Sequence, residues 1–261
     1  MTFSDAKQRF SSRVADYLRY RPGYPKELLD LLWVECGLRA KHIVADIGSG
    51  TGLLSEPFLK YGNSVVGVEP NAEMRAGGEH YLAEYENFRS VDGSAEATGL
   101  ADASVDFVTA GQSFHWFDAP AAKKEFLRIL RPGGWVVVTW NDRRMEEKTL
   151  TREYEGLLEQ YGVDYKNVKD AYPEWKQISD FFAPGKVASR DLENFQDLDC
   201  EGLRGRLLSS SFAPTPPHAN YAPMLARLES IFQSHQRNGR VRMQYFTRVY
   251  FGQLAAPRAH A

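Results

Sequence analysis

A glycine-rich turn preceded by an acid could hold a polar ligand close to the main chain. In the stretch HIVADIGSGTGLL (42–54), Gly48, Gly50 and Gly52 follow an apolar run that ends around Asp46. Glycine has no side chain, so a turn of this kind lets a ligand approach main-chain N–H groups directly. A carboxylate just before the turn would attract an ammonium group and repel a pyrophosphate. The pattern therefore indicates a polar ligand that carries a positive charge.

Three ligand classes can be compared for this turn. A phosphate-binding loop of the form G-x-x-x-x-G-K-[ST] is excluded, because no lysine follows the glycines. A dinucleotide fingerprint, G-x-G-x-x-G, needs its third glycine at position 53, where Leu53 stands, so this class fits only weakly. S-adenosylmethionine fits better, since it has a zwitterionic amino-acid end and a ribose but no pyrophosphate.

A second acid follows the next apolar run. Glu69, followed by Pro70, ends the run SVVGVE (64–69), where a carboxylate could accept hydrogen bonds from both hydroxyls of a ribose. Dinucleotide folds also carry an acid at this point, so Glu69 alone does not separate the two cofactors. Asp46 together with the glycine spacing favours S-adenosylmethionine, and a nicotinamide cofactor is the alternative.

The elements that must position these residues alternate along the chain between about residues 40 and 140. Short runs rich in Val, Ile and Phe predict strands at 42–47, 64–69, 87–92, 104–110 and 135–140. Between them, helices are predicted at about 52–60, 71–84 and 119–130, the last ended by the sequence RPGG. Strands joined by crossover helices return parallel, and ligands bind at their carboxyl ends, where the glycine turn lies.

Both flanks depart from this alternation. A helix is predicted from Pro25, with an apolar face made of Leu28, Leu29, Leu32, Trp33 and Cys36. Residues 141–240 indicate helices and loops with one extended segment near 186–197, and 241–254 predicts a final strand.

Composition narrows the class of protein. The 261 residues include 43% hydrophobic and 25% charged residues, which is typical of a folded globular domain. With 32 basic and 34 acidic residues, the net charge of −2 gives no general attraction to nucleic acid or to anionic membranes. The two cysteines, Cys36 and Cys200, are isolated, so neither a disulfide framework nor a metal site is expected. Without a signal peptide or an apolar span, a cytoplasmic location is expected.

Four motifs, in this order and spacing, resemble those of class I S-adenosylmethionine-dependent methyltransferases. They are VADIGSGTGLL, VVGVEP, SVDFVTAGQSFHWFD and FLRILRPGGWVVVTW, and together they cover residues 40–140. The chain is similar to the small-molecule branch that includes trans-aconitate methyltransferases, with a methyltransferase type 11 domain. YRPGYP near the start and YFTRVYFGQL near the end also resemble that branch.

The resemblance implies an α/β fold with a Rossmann-like sheet of seven strands, mostly parallel with an antiparallel last strand. An N-terminal lid and helical cap insertions complete it. The corresponding division is a lid segment at 1–40, the S-adenosylmethionine-binding core at 41–141, a helical region with the sixth strand and a cap at 142–240, and the final strand and tail at 241–261.

The resemblance also assigns residues to the cofactor. The loop from Asp46 to Gly52, with Ser49, would hold the methionine moiety, and Glu69 with Pro70 would bind the ribose. Ser94 and Ala95 would lie along the adenine, with the Ala95 N–H as a donor.

Further assignments carry alternatives. Many relatives have aspartate where Ser94 stands, so Asp92 is an alternative acceptor for the adenine amino group. Gln112 would border the methionine end and the methyl group. Tyr20 and Arg21, in the lid, would lie near the cofactor carboxylate.

Other residues at the expected ligand edge are open to two interpretations. His115 is either a general base or a pocket-wall residue packed on aromatic rings, and methyl transfer to a carboxylate or thiolate needs no base. Arg143 and Arg144 could bind an acidic substrate, but solvated charges at a helix start are the favoured interpretation. Cap residues that could shape substrate choice are Ser209, Ser211 and Phe212.

The expected function is methyl transfer from S-adenosylmethionine to a small-molecule acceptor by in-line displacement. A nucleic-acid acceptor is not expected, because GQSF stands after the fourth strand where exocyclic-amine methylases carry a tetrapeptide of the N-P-P-Y type. The alternative is a catalytically inactive protein that binds S-adenosylmethionine or regulates through it. The sequence identifies neither the acceptor, nor the attacking atom, nor the oligomeric state.

Overall fold

The structure, a computed structural model, describes residues 14–170 and 174–255. Its strands are β1 (Ile43–Ile47), β2 (Ser64–Val68), β3 (Phe88–Val91), β4 (Val105–Gly111), β5 (Leu130–Arg143), β6 (Val187–Leu198) and β7 (Val241–Gly252). They form one seven-stranded sheet in the order β3-β2-β1-β4-β5-β7-β6. This arrangement confirms the fold class that the sequence predicts.

Helices occupy most of the connections. They are α1 (Val14–Tyr20), α2 (Glu27–Cys36), α3 (Ser55–Tyr61), α4 (Ala72–Tyr81), α5 (Ala119–Ile129), α6 (Leu150–Tyr161), α7 (Tyr165–Asp170), α8 (Trp175–Phe182), α9 (Cys200–Leu208) and α10 (Tyr221–His235). Among the described residues, no helix combines the length and the apolar character that crossing a membrane requires.

The central strands run parallel and bring their carboxyl ends to one edge. On β1, Asp46 lies opposite Gly67 of β2 on one side and opposite Thr109 of β4 on the other. β3 pairs parallel with β2, and β5 pairs parallel with β4. Strand order reverses around β1 and β4, which is where open α/β sheets bind ligands.

The last strand, β7, runs antiparallel to β5. The Thr139 hydroxyl donates to the Arg248 carbonyl at 2.9 Å, and the Arg144 N–H donates to the Gln244 carbonyl at 3.0 Å. Residue numbers therefore increase along β5 while the numbers of their hydrogen-bonding partners in β7 decrease, as expected for antiparallel strands.

The chain divides into two compact units. The sheet unit contains the described residues within Gly23–Trp140, Pro173–Leu192 and Thr247–Ala261. The helical unit contains those within Met1–Pro22, Asn141–Tyr172 and Glu193–Phe246. The predicted lid segment, 1–40, is therefore shared between the two units, and their boundaries fall within β5, β6 and β7.

Apolar residues on both faces of β1 explain why this strand lies inside the sheet unit. Ala45 and Ile47 belong to one buried cluster, while Val44 belongs to a second one. Alternate residues of a strand point to opposite faces, so helices cover both faces of the sheet here. Continuous apolar character is what a doubly covered parallel strand requires.

The helix α5 forms where the sequence places it. Its apolar stripe, Ala122, Phe126 and Ile129, is buried in the same cluster as Ala45. At its start the Asp118 carboxylate accepts the Ala121 N–H at 3.1 Å, which satisfies one of the free donors of the first turn.

Two local predictions are wrong in detail. The sequence RPGG does not separate α5 from the next strand, because β5 begins at Leu130 and contains it. The β4–β5 pairing passes from Val105↔Leu130 to Phe107↔Trp135, so the extra residues form an irregularity within the strand. In α2, which starts after Pro25, Trp33 is 51% exposed and lies off the buried face.

Candidate cofactor site

The glycine turn after β1 is held against the end of β2. The N–H groups of Gly48 and Ser49 both donate to the Val68 carbonyl, at 2.8 and 3.2 Å. Gly48, Gly50 and Gly52 have φ angles of 66°, 55° and 85°, the left-handed region that other residues adopt at a cost. The main chain can follow this path because side chains are absent at those three positions.

Two of these glycines are also required by packing inside the protein. A Cβ at Gly48 would lie 2.6 Å from Ser113 Cβ, and a Cβ at Gly52 would lie 2.5 Å from Leu82 Cδ1. At Gly50 the nearest atom is Met74 Cε, at 3.2 Å. Packing inside the protein therefore accounts for glycine at positions 48 and 52 without a ligand. Gly50 is the position at which internal contacts explain least, so it is the best candidate for close approach of a ligand.

Glu69 ties the turn to the helix that follows β2. Its Oε2 accepts the Gly50 N–H at 3.0 Å, and its Oε1 accepts the Asn71 N–H at 2.8 Å. The Asn71 side chain in turn caps α4 by accepting from Glu73 and Met74. Each carboxylate oxygen can accept more than one hydrogen bond, and hydroxyl groups are among the donors that a carboxylate accepts from.

Asp46 lies beneath the turn and is 1% exposed. Its Oδ2 accepts the Ser55 hydroxyl at 2.7 Å, and its Oδ1 accepts the Thr109 hydroxyl at 3.1 Å. Burial raises the pKa of Asp46 to about 6, and the nearby negative charge of Glu69 contributes to this increase. The hydrogen bonds from the Ser55 and Thr109 hydroxyls act in the opposite direction and lower the pKa. A cationic group near Asp46 would therefore be favoured, because it offsets the cost of the buried negative charge.

Ser55 and Thr109 are site residues that the sequence analysis missed. Ser55 opens α3, and Thr109 sits opposite Asp46 in the β1–β4 register. The contact between Thr109 and the buried Asp46 depends on how β1 and β4 pair, and the sequence motifs do not show that pairing.

The segment after β3 is fixed by its own main chain. The Ser94 N–H donates to the Ala97 carbonyl at 3.1 Å, and the Ala97 N–H donates back to Ser94 at 3.2 Å. Ala95 is buried in the core. Asp92 is exposed and pairs with Arg75 at 3.2 Å, and Arg75 also donates to the Glu69 carbonyl at 2.8 Å. Arg75 thus joins the ends of β2 and β3.

Gln112 carries backbone strain at the end of β4. Its φ is 59°, and its N–H donates to the Thr139 carbonyl of β5 at 2.9 Å. The neighbouring Ser113 hydroxyl donates to the Ile47 carbonyl at 2.8 Å, which joins the ends of β4 and β1. Strained residues of this kind persist where surrounding contacts hold them, and they cluster at ligand sites.

His115 lies in a short 3-10 turn, Phe114–Trp116, with its ring 4.7 Å from the Trp116 ring. Burial lowers the pKa of His115 to about 4. The imidazole is then neutral at pH 7 and a poor acceptor of protons. Its surroundings favour the wall interpretation over the general-base interpretation.

The remaining predicted site residues belong to the helical unit. The Tyr20 hydroxyl donates to Glu201 Oε1 at 3.2 Å, and Arg21 Nη2 donates to the Ser209 carbonyl at 3.0 Å. Ser209 is fully buried, and Phe212 packs on the ring of Tyr165 at 4.7 Å. A role for Tyr20 and Arg21 beside a cofactor stays a prediction.

The interpretation of Arg143 as a solvated charge is wrong. Arg143 is the last residue of β5, and its guanidinium pairs with the buried Glu155 carboxylate at 2.7 Å. Arg144 is partly exposed and pairs with Glu146 at 2.5 Å.

The sheet unit therefore gathers most of the predicted site at one edge. The Gly50 N–H donates to Glu69, and the Gly48 N–H donates to the carbonyl of Val68, the residue before Glu69. Asp46 lies in register with Thr109 of β4, the strand that Gln112 follows. The open turn at Gly50, with one acid below it and another beside it, fits a ligand that has an ammonium group and vicinal hydroxyls.

Comparison with known proteins relates part of this chain to methyltransferases. Residues 45–138 match the family described as a methyltransferase domain. An uncharacterised methyltransferase of Mycobacterium tuberculosis is 38% identical over 139 residues, which are 53% of this chain and 54% of the relative. The chain thus spans about half the length of the curated relatives it matches.

Solved structures share the fold. The YcgJ protein of Bacillus subtilis has a TM-score of 0.55 at 19% identity, covering 89% of this chain and 100% of that one. A SAM dependent methyltransferase from Aquifex aeolicus has a TM-score of 0.52 at 17% identity, covering 70% and 92%. At such identities the likeness shows the fold alone.

Proposed function

We propose that this chain, whose residues 45–138 match a methyltransferase domain, transfers a methyl group from S-adenosylmethionine to a small-molecule acceptor. The observation that carries the proposal is the Gly50 turn, whose N–H group is bound to Glu69 while Asp46 lies buried beneath it. This arrangement offers complementary groups to both the ammonium and the ribose of the cofactor.

The cofactor supplies an activated methyl group on a positively charged sulfur. In the proposed complex, the turn Gly48–Gly52 holds the methionine end, and the charge of Asp46 faces its ammonium group. Glu69 accepts from the ribose hydroxyls, and Ser94 with Ala95 borders the adenine. Gln112, whose N–H donates to the Thr139 carbonyl, would border the methyl group.

The protein's part in the reaction is orientation. In-line displacement requires the attacking atom, the methyl carbon and the sulfur to align, and rigid binding of both partners removes much of that entropic cost. The His115 ring, neutral at pH 7 because burial lowers its pKa to about 4, would form a wall that excludes water.

A small acceptor is favoured by the sequence. The net charge of −2 provides no general attraction to nucleic acid, and GQSF replaces the tetrapeptide of exocyclic-amine methylases.

Turnover tests the proposal against a catalytically inactive binding protein. Purified protein would be incubated with S-adenosylmethionine labelled in the methyl group and with panels of small carboxylic acids, amines, phenols and thiols. We expect S-adenosylhomocysteine to form with at least one panel and the label to move to the acceptor. Tight cofactor binding with no product from any panel would support the inactive alternative.

Cofactor affinity should decrease as the pH falls through about 6. Because Asp46 has a raised pKa of about 6, it loses its charge below that pH, and we expect binding to weaken by about tenfold between pH 7 and pH 5. Calorimetric titration with S-adenosylhomocysteine at several pH values measures the effect. The Asp46→Asn variant should show weak binding with little pH dependence.

The same protonation has the opposite effect on stability, which separates weak binding from unfolding. An acid with a raised pKa takes up its proton more easily in the folded protein, so the Asp46 contribution to stability increases as the pH falls from 7 to 5. If the affinity of the parent protein for S-adenosylhomocysteine did not change between pH 7 and pH 5, the assignment of Asp46 to the ammonium group would be wrong.

His115 should prove dispensable as a base. We expect His115→Gln to leave cofactor affinity within about twofold, because the ring contributes packing rather than charge. The rate at pH 7 should also be similar in the two proteins, and the parent protein's rate profile should show no limb near pH 4 that disappears in the variant. A histidine limb in the rate profile, lost on substitution, would restore the general-base interpretation.

A further inference from the structure

The helical unit contains one buried arginine, Arg206, and one largely buried arginine, Arg143, that the proposed chemistry does not use. Arg143 ends β5, and Arg206 lies in α9 with 3% of its surface exposed. Arginine stays protonated in proteins, so each brings a full positive charge into the interior. A buried charge is costly unless an opposite charge or several hydrogen bonds compensate it.

The charge of Arg143 is compensated. Its Nε and Nη2 donate to Glu155 Oε2 at 3.0 and 2.7 Å, and Nη2 also donates to the Tyr165 hydroxyl at 2.5 Å. That hydroxyl donates to the second oxygen of Glu155 at 2.7 Å. Glu155 is 1% exposed, and Arg143 and Tyr165 together engage both of its oxygens.

Arg206 has no comparable partner. Its Nε lies 3.4 Å from the Tyr245 hydroxyl and its Nη1 lies 3.3 Å from the Ser210 hydroxyl, both neutral groups at long distances. Tyr245 donates its own proton to Gln196 Oε1 at 2.8 Å. Among the side chains that the structure describes, no carboxylate lies within ion-pair distance of Arg206.

Tyr154 adds an unused donor to the same cluster. The side chain is fully buried, and within the described part of the chain its hydroxyl has no hydrogen-bond partner. The Arg143 guanidinium carbon lies 5.7 Å from the centre of its ring. Tyr154 belongs to the same buried cluster as Tyr245, whose hydroxyl lies 3.4 Å from Arg206 Nε, so the phenol and the Arg206 guanidinium lie in the same part of the unit. Burial raises the pKa of Tyr154, and the positive charges of Arg206, Arg143 and Arg21 act against this increase.

We propose that the helical unit contains a binding site for the anionic group of a small molecule, a carboxylate or a phosphate, bound by the Arg206 guanidinium and the Tyr154 hydroxyl. Guanidinium groups bind both anions through paired N–H donors, and a phenol adds a third donor. The anion supplies the negative charge that would compensate Arg206 and the hydrogen-bond acceptor for the Tyr154 hydroxyl. The proposal concerns the helical unit alone and does not depend on methyl transfer.

Binding of two probe anions to the full chain tests the site. Inorganic phosphate and citrate would each be titrated by calorimetry and by thermal unfolding, with sodium chloride at matched ionic strength as the reference. We expect at least one probe to bind saturably and to raise the melting temperature. Binding confined to phosphate indicates a phosphate ester as the natural ligand, and binding confined to citrate indicates a carboxylic acid.

Variants separate a ligand site from a structural arginine. In Arg206→Met we expect affinity for the bound probe to fall by at least about tenfold. Its melting temperature without probe should stay equal or rise, because an apolar side chain of similar size replaces an uncompensated charge. The control is Arg242→Met, which removes a 55%-exposed arginine paired with Asp197 in the same unit and should leave probe binding unchanged.

Tyr154→Phe provides an independent readout should Arg206→Met fail to fold. Removing a hydroxyl that makes no hydrogen bond should leave the probe-free melting temperature unchanged, while probe affinity falls by about threefold to tenfold. Failure of both probes to bind the parent protein overturns the proposal. Unchanged probe affinity in Tyr154→Phe, or in a folded Arg206→Met, overturns it as well.

Discussion

Replacing Gly50 by valine is expected to abolish detectable binding of S-adenosylmethionine while the protein stays folded. Gly50 has a φ of 55°, which a β-branched residue adopts only with strain, and its N–H donates to Glu69. Relaxing that strain would move the N–H away from Glu69 and place a side chain in the turn. We expect the affinity to fall by more than about a hundredfold, since both the turn and the ribose acceptor are displaced.

Gly133→Val is the matched control for this substitution. Gly133 also has a positive φ, 80°, and no atom lies within 4 Å of the position where its Cβ would stand. The variant carries a similar backbone penalty in the same unit but outside the turn. Calorimetry and thermal unfolding of both variants separate the two effects. Retained affinity in a folded Gly50→Val protein would contradict the assignment of the turn.

Glu69→Ala is expected to produce the second largest loss of affinity. The carboxylate accepts from Gly50 and Asn71 in the structure and is assigned to the ribose in the proposed complex. Loss of charge-assisted hydrogen bonds should cost about 1.5–3 kcal/mol of binding free energy. The dissociation constant for S-adenosylhomocysteine, measured by calorimetry, should rise accordingly.

Two further variants define what the Glu69 effect means. Glu69→Gln keeps the shape of the side chain and one acceptor oxygen, so we expect an intermediate loss. Glu73→Ala removes an exposed acid from the first turn of α4 and should leave the affinity unchanged. Equal effects of Glu69→Ala and Glu73→Ala would show that general charge, rather than a ribose contact, is being measured.

The parallel half of the sheet could be predicted from the sequence because its strands are short, apolar and separated by amphipathic helices. Val44 and Ala45 face opposite sides of β1 and are both fully buried, so the strand is apolar on both faces up to Asp46. The glycine turn and Glu69 could be located because each immediately follows such a run. Both patterns involve residues that are neighbours in the chain, so they can be recognised in the sequence without knowledge of the structure.

What could not be predicted depends on contacts between distant parts of the chain. The hydrogen bond from the Thr109 hydroxyl to Asp46 spans 63 positions and follows from strand register. Gly52 is required partly by Leu82, which no motif connects to it. The pairing of Arg143 with Glu155 is closer in sequence, but it depends on the fold that buries Glu155.

Calorimetric titration of the purified chain with S-adenosylhomocysteine, S-adenosylmethionine and NADH tests the central claim most directly. The claim is that the turn after β1, with Asp46 below it and Glu69 beside it, receives the amino acid and ribose of the sulfur nucleoside. We predict saturable binding of both sulfur nucleosides at one site per chain and no binding of NADH. Binding of NADH alone, or of none of the three, would contradict the account.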